Sequence, residues 1–236
     1  MLNTIAIVHS PYKEKFAVPR QPGLVPSAKG LLEILPPYND PNAFSGLDDF
    51  SHIWIMFLFH KNKPVKKWSP MVRPPRLGGN KRVGVFATRS PNRPNPIGLS
   101  LLEYHGMFQK KGKLFLRIGC LDLVDGTPII DIKPYIPYAD AKPNALAGFA
   151  QQKPQSLMQI QFSTASLNFL QNEPELEILI REVLQQDPRP AYKKNKIDTK
   201  TYAMYLLDFN VFWQSEGKIS TVISIEYHSS QINIHL

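Results

Sequence analysis

Residues 97–135, IGLSLLEYHGMFQKKGKLFLRIGCLDLVDGTPIIDIKPY, contain three apolar segments that are separated by turn residues. The segments cover residues 97–108, 113–123 and 127–135, and the turns between them are KKGK and DG. Short apolar runs bounded by turn signals are typical of β-strands, and Asp-Gly is a favoured turn pair. This stretch therefore predicts three consecutive strands.

Four more strand candidates precede this stretch. They are TIAIVHS at 4–10, GLLEILPPYND at 30–40, HIWIMFLFH at 52–60 and KRVGVFATR at 81–89. Strands at this density, with no long helical pattern before Gln151, favour a mainly β fold built as an antiparallel barrel or closed sheet.

The pattern changes near residue 151. The later candidates are a strand at 157–163, a helical spacing over 164–187 and a hairpin of 201–213 with 218–228 around QSEG. Pro174 suits a first helical turn, and Glu175 and Glu177 suit the positive end of the helix dipole. We expect a β-barrel domain over residues 1–150 and a small α+β C-terminal domain over 151–236.

Composition points to a basic protein of a reducing compartment. The chain has 236 residues, a formal net charge of +9 and one cysteine, Cys120. The charge favours a polyanionic partner, nucleic acid first and an anionic membrane second. A lone cysteine cannot form an internal disulfide, which fits the cytoplasm. The start shows no basic leader with a long apolar stretch, and the longest apolar run, IWIMFLF, is too short to span a bilayer.

Several familiar site motifs are absent from the sequence. There is no Gly-x-Gly-x-x-Gly after a strand, no phosphate-binding Gly-x-x-x-x-Gly-Lys, no His-Glu-x-x-His and no Gly-x-Ser-x-Gly. A Rossmann cofactor site is therefore not expected. The six histidines lack metal-ligand spacing, so a metal is not expected either.

The segment from His60 to Arg93 contains ten Lys or Arg residues and no Asp or Glu. Trp68 and several prolines lie among these cations. The pattern predicts a rigid cationic rim that contacts RNA phosphates, with Arg73, Arg76 and Arg93 as candidate contacts. The alternative is a solvated loop whose charge is incidental.

A second basic cluster, PRPAYKKNK, covers residues 188–196 beyond the predicted helix. Tyr192 could stack on a base there. The candidate RNA contacts are Arg189, Tyr192, Lys193, Lys194 and Lys196. A solvated loop at the helix exit is an equally good interpretation.

Three other motifs suggest a polar ligand pocket. In ATRSPNRPNPIGLS, residues 87–100, prolines hold Arg89 and Arg93 on a stiffened chain. DLVDG places Asp122 and Asp125 at a strand end, where carboxylates could accept hydrogen bonds from ribose hydroxyls, although an ordinary Asp-Gly turn explains them too. His60 and Lys61 end another strand, where a pocket can open onto solvent, although a strand that simply ends in polar residues explains them too.

Together these stretches resemble the YaeB/TrmO family of tRNA (adenine-N6)-methyltransferases. The strings that carry the resemblance are SPYKEKFAVPRQPGLV, FSHIWIMFLFH, VRPPRLGGNKRVGVFATRS, RPNPIGLS, LDLVDGTPIIDIKPY and IREVLQQDPRPAY, which lie between about residue 4 and residue 213. The resemblance implies a single-sheeted β-barrel, S-adenosyl-L-methionine as methyl donor and a homodimer with the cofactor near the subunit interface. It also implies a cytoplasmic enzyme that methylates N6 of a threonylcarbamoyl-adenosine next to the anticodon of tRNA.

The resemblance also implies a set of cofactor-binding residues. On the matching motifs these are Pro19, Arg20, Gln21, His60, Lys61, Arg89, Leu99, Asp122, Leu123, Val124 and Asp125. No catalytic residue follows from it, and His60, Asp125 and water all stay open as acceptors of the proton from the methylated nitrogen. Two other functions stay possible: a non-catalytic RNA-binding barrel, and an enzyme whose small acceptor is phosphorylated.

Overall fold

A computed structural model describes residues 2–62, 68–155, 158–190, 193 and 198–228. The first eight strands are β1 (Ala6–His9), β2 (Lys29–Ile34), β3 (His52–Leu58), β4 (Met71–Val72), β5 (Val83–Gly84), β6 (Ile97–Lys110), β7 (Lys113–Gly119) and β8 (Pro128–Pro134). Six of them close into a barrel in the order β1-β2-β7-β6-β3-β8, and each neighbouring pair is antiparallel. The two short strands, β4 and β5, pair with each other outside the barrel.

The barrel follows from alternation along its strands. In β3, Ile53, Ile55 and Phe57 are buried, and the residues between them are more exposed. Gly98 on β6 is the partner of Phe57, and a Cβ atom there would lie 2.1 Å from Phe57 Cζ. A glycine at this position is therefore required for the Phe57 ring to cross the strand.

A second unit follows the barrel. Helix α1 (Pro137–Asp140) comes before it and lies against the barrel, where Trp54 Nε1 of β3 donates to Asp140 Oδ2 at 3.0 Å. The elements of the second unit are β9 (Gln159–Phe162), α2 (Thr164–Leu170), α3 (Pro174–Gln185), β10 (Asp198–Leu206), β11 (Phe209–Glu216) and β12 (Ile219–Tyr227). The strands form a sheet in the order β10-β11-β12-β9, with β9 parallel to β12. The predicted fold class, an antiparallel barrel followed by a small α+β unit, is confirmed. The boundary at residue 150 stays a prediction.

Three predictions of individual elements were wrong. Residues 81–89 form no barrel strand: only Val83–Gly84 is extended, and a 3₁₀ turn follows, closed by a 2.8 Å bond from Thr88 Oγ1 to Val85 O. The helical pattern of 164–187 is two helices, because Pro174 starts a new one at its first turn. The run 201–213 is two strands, because Leu207 takes a φ of 54° and turns the chain between β10 and β11.

The segment between β1 and β2 lies against the C-terminal sheet. Leu207 N donates to Pro11 O at 2.7 Å, and Lys13 N donates to Tyr205 O at 3.4 Å. Farther along the segment, Ser27 donates from both its backbone N and its Oγ to Glu182 Oε2 on α3. The segment that contains Pro19 to Gln21 is thus held between the barrel and the second unit.

Within the described ranges, no helix is long and apolar enough to cross a membrane.

Candidate functional site

The centre of the candidate site is the Asp122 carboxyl group, which follows β7. Ser100 Oγ on β6 donates a 2.6 Å hydrogen bond to Asp122 Oδ1. Desolvation raises the pKa of Asp122 to about 6, although the Ser100 hydrogen bond and the charge of Arg89 oppose the rise. The site therefore holds a carboxylate in a place where water solvates it poorly.

Arg89 is bonded to the segment between β1 and β2 and lies near enough to Asp122 for its charge to act on that carboxylate. Its Nη1 donates to Gln21 Oε1 at 2.5 Å, and its charge acts on Asp122. Pro19, two residues before Gln21, is buried, whereas the intervening Arg20 is exposed. Residues predicted from three separate motifs are therefore brought to one place.

Asp125 forms a second polar cluster at the other end of the same turn. Its Oδ1 accepts from Ser10 N at 2.7 Å, and its Oδ2 lies 3.1 Å from Lys13 Nζ. Lys61 Nζ donates to Lys13 O at 2.8 Å, and Lys15 Nζ donates to Lys61 O at 2.7 Å. Asp125 and Lys61 are thus joined through Lys13.

His60 lies beside this second cluster and is exposed. Desolvation lowers its pKa, and the adjacent Lys61 lowers it further, while Asp125 acts in the opposite direction. The imidazole is therefore mainly neutral at neutral pH, so that one ring nitrogen is able to accept a proton.

Leu123 and Val124 connect the two carboxylates. Leu123 is buried and its carbonyl accepts a 2.6 Å bond from Ser10 Oγ. The Val124 carbonyl accepts from Thr127 Oγ1, also at 2.6 Å. Both carbonyls already have a partner, and these bonds fix the shape of the turn between Asp122 and Asp125.

Leu99 lies beside Ser100 on β6, and its side chain is 52% exposed. Successive side chains of a strand point to opposite faces, so Leu99 points away from the face on which Ser100 meets Asp122. On one edge of β6, Leu99 is paired with Met56 of β3, whereas the pairing with β7 on the other edge begins only at Glu103. What Leu99 can offer a ligand near Asp122 is therefore its backbone.

The predicted cationic rim is exposed in the part that the structure describes. Arg73 and Arg76 are exposed, and Arg76 Nη2 donates to Gln152 O. Arg93 is only half-buried, and its Nη1 donates to Thr88 O at 3.0 Å and to Ser90 O at 3.1 Å. Residues 63–67 of the rim lie outside the described residues.

One predicted RNA contact was wrong. The Arg189 side chain is completely buried and forms an ion pair with Asp187, whose Oδ1 lies 2.8 Å from Arg189 Nε. A buried, paired guanidinium does not reach a phosphate. Lys193 is partly exposed. Tyr192, Lys194 and Lys196 lie outside the described residues.

Sequence reasoning did not identify Ser10, Tyr12, Lys13 or Ser100. Ser100 carried a signal, because it is the one hydroxyl in the apolar run IGLSLL. Tyr12 carried none: its side chain is fully buried, and its hydroxyl has no hydrogen-bond partner among the described residues. Burial raises the pKa of Tyr12 and the charge of Asp122 raises it further, so the two groups share one electrostatic environment.

The described residues contain no group of three or more His, Cys, Asp or Glu side chains that could hold a metal ion. The site instead contains hydrogen-bond acceptors and donors. The acceptors are the two carboxylates, the donors are a guanidinium and lysine ammonium groups, and one amide can do both. Such a set is suited to an organic ligand that has hydroxyls and a carboxylate.

Two family models match the chain. The model of the tRNA-methyltransferase O N-terminal domain matches residues 7–141, and that of the TrmO C-terminal domain matches residues 155–228.

Curated relatives and solved structures agree with these matches. The chain is 54% identical to the tRNA (adenine(37)-N6)-methyltransferase of Escherichia coli over 94% of this chain and 96% of the relative. It is 43% identical to a putative S-adenosylmethionine-dependent methyltransferase of Pseudomonas aeruginosa over 90% and 91% of the two chains. A crystal structure of TrmO superposes with a TM-score of 0.75 at 35% identity, over 95% of this chain and 98% of that one.

Proposed function

This chain belongs to the tRNA-methyltransferase O family, and we propose that it transfers a methyl group from S-adenosylmethionine to tRNA. The acceptor in this proposal is N6 of a threonylcarbamoyl-adenosine next to the anticodon. The observation that carries the proposal is the 54% identity to the Escherichia coli adenine(37)-N6 enzyme over nearly the whole of both chains.

The site residues fit the methyl donor, which has an amino-acid carboxylate, two ribose hydroxyls and an adenine edge. Asp122 has oxygen lone pairs beyond the one that Ser100 occupies, and these suit ribose hydroxyls. Arg89 donates one N–H to Gln21 and has others for a carboxylate. The buried Tyr12 hydroxyl, without a partner among the described residues, is the kind of group that a polar ligand completes.

When bound, S-adenosylmethionine supplies an electrophilic methyl group: its sulfur–carbon bond breaks, the electron pair returns to sulfur, and a nitrogen–carbon bond forms. The chain has to align donor and acceptor, and alignment can contribute up to about 7–11 kcal/mol of a reaction barrier. The segment between β1 and β2 supports that alignment, because hydrogen bonds tie it to both the carboxylate turn and the C-terminal sheet.

The acceptor nitrogen also has to lose a proton. Both oxygens of Asp125 already have partners, because Oδ1 accepts from Ser10 N and Oδ2 is paired with Lys13 Nζ. His60 has a lowered pKa and is mainly neutral at neutral pH. Of these two side chains, His60 is therefore better suited to accept the proton.

The remaining parts of the proposal are the assembly and the location of the enzyme. We propose a homodimer with the cofactor near the subunit interface, and a cytoplasmic location where tRNA is modified. Light scattering at the concentration used for activity measurements is expected to give the mass of a dimer, and the mass of a monomer would contradict this part.

Calorimetry with S-adenosylmethionine in the presence of a chelator tests cofactor binding. We expect saturable heat without added metal. An absence of heat at millimolar ligand would contradict the proposal and favour the non-catalytic RNA-binding barrel.

A further inference from the structure

We infer that Phe86 and Trp68 form a platform on which an unpaired base of tRNA stacks, an assignment that rests on the proposed tRNA substrate. Phe86 is 71% exposed and Trp68 is 47% exposed. Their ring centroids lie 6.4 Å apart, with 36° between the planes. Two large aromatic side chains thus share one surface and stay exposed among the described residues.

The local structure holds Phe86 outward. The short ladder of β4 and β5 pairs Met71 with Gly84, and Val85 N donates to Pro70 O at 2.8 Å. Val85 is 1% exposed and is the first residue of the 3₁₀ turn Val85–Ala87, which it anchors to the core. The next side chain, Phe86, is directed to solvent as a result.

One cation lies over the Phe86 ring, and others are exposed in the same segment of the chain. The Arg93 guanidinium lies 5.9 Å from the centroid of the Phe86 ring, and its bonds to the carbonyls of Thr88 and Ser90 keep it there. Other exposed cations of the same segment are Arg73, Arg76, Lys81 and Arg82. No acidic residue lies between His60 and Arg93 in the sequence.

The exposed rings and the cations together indicate which kind of ligand binds here. Proteins bind single-stranded nucleic acid with aromatic side chains that stack on bases and cations that contact the backbone. The acid-free cationic surroundings complement a polyanion, which favours RNA over an apolar protein partner. Phe86 is also three residues from Arg89 in the chain, so a stacked base would lie close to the proposed cofactor site.

The test uses the full chain and tRNA purified from cells that lack this protein. Phe86→Ala and Trp68→Ala are each expected to weaken tRNA binding about 5- to 150-fold, the range for loss of one stacked base. Phe86→Tyr is expected to retain near-normal affinity, and Phe86→Leu to lose it, because leucine is apolar but does not stack. Tyr138→Ala is the matched control, since Tyr138 is 87% exposed elsewhere on the chain.

The salt dependence of tRNA affinity distinguishes the contribution of base stacking from that of phosphate contacts. The Phe86→Ala variant is expected to keep the slope of log affinity against log salt, because it removes no phosphate contact. Unchanged tRNA affinity in Phe86→Ala would overturn the platform. A change in its mass by light scattering would also overturn it, by assigning the rings to a contact between copies. If the unsubstituted protein itself neither binds nor methylates tRNA, the proposed function fails instead.

Discussion

Ser100 and Asp122 are joined by a 2.6 Å hydrogen bond between β6 and the turn after β7, yet the pKa of Asp122 stays raised to about 6. The ordinary pKa of an unfolded aspartate is about 3.9. The folded chain thus holds the ionised carboxylate at a cost in stability. An ionisable group whose charged form destabilises the fold is typical of a binding site.

We predict that Asp122→Asn stabilises the fold at pH 8. Because the folded pKa is the higher one, ionisation destabilises the native state as pH rises from about 4 to about 6, and the cost persists above that range. The gain is expected to be at most about 3 kcal/mol at pH 8, and smaller at pH 5. Urea unfolding at pH 8 and at pH 5 measures the change in unfolding free energy. An equal change at the two pH values would show that the pKa of Asp122 is not raised in the folded protein.

The same substitution is expected to weaken S-adenosylmethionine binding about 10- to 150-fold, because charge-assisted hydrogen bonds are lost. In the unsubstituted protein the affinity should fall as pH drops below about 6, since a protonated Asp122 accepts fewer hydrogen bonds. Calorimetry between pH 5 and pH 8 tests this. An identical pH dependence in the Asn variant would show that another group is responsible.

Arg89 and Arg93 are predicted to have different roles. Arg89 contacts Gln21 and acts on Asp122, so Arg89→Ala should weaken cofactor binding about 10- to 100-fold. Arg93 binds carbonyls of its own loop and lies over Phe86, so Arg93→Ala should lower the methylation rate at limiting tRNA and leave cofactor affinity nearly unchanged. If Arg93→Ala weakens cofactor binding and Arg89→Ala does not, Arg93 and not Arg89 faces the cofactor.

Ser10 is predicted to maintain the turn between the two carboxylates. Its buried Oγ donates to Leu123 O and accepts from Tyr12 N, so Ser10→Ala leaves two backbone groups without this partner. The expected loss is about 1–3 kcal/mol of unfolding free energy, with weaker cofactor binding. The exposed Ser45→Ala is the control. If Ser10→Ala and Ser45→Ala have the same unfolding free energy, Ser10 does not maintain this turn.

The barrel could be predicted from the sequence because period-two alternation and turn pairs are local signals. The turn at Leu207 was missed because a leucine at positive φ has no local signal: its N–H is instead satisfied by Pro11 O, far away in sequence. The candidate cofactor residues came from the family resemblance, and the structure supplies the partners that hold some of them, such as Ser100 for Asp122 and Lys13 for Asp125. Arg189 was misassigned because its burial depends on tertiary packing.

The second basic cluster gives a contrast between two kinds of substitution. Arg189→Ala breaks a buried ion pair and should cost about 3–5 kcal/mol of stability. Replacing Lys193, Lys194 and Lys196 together by Ala should leave stability and cofactor binding nearly intact but flatten the salt dependence of tRNA binding. Unfolding curves and salt titrations measure the two effects. An unchanged slope in the triple variant would make this cluster a solvated surface.

Methyl transfer to tRNA is the central claim, and nucleoside mass spectrometry tests it most directly. Purified protein is incubated with S-adenosylmethionine that has a deuterated methyl group and with tRNA from cells that lack the protein, in the presence of a chelator. We predict one labelled methyl group on N6 of threonylcarbamoyl-adenosine and on no other nucleoside. Label on another nucleoside, or no label although both ligands bind, would contradict the claim.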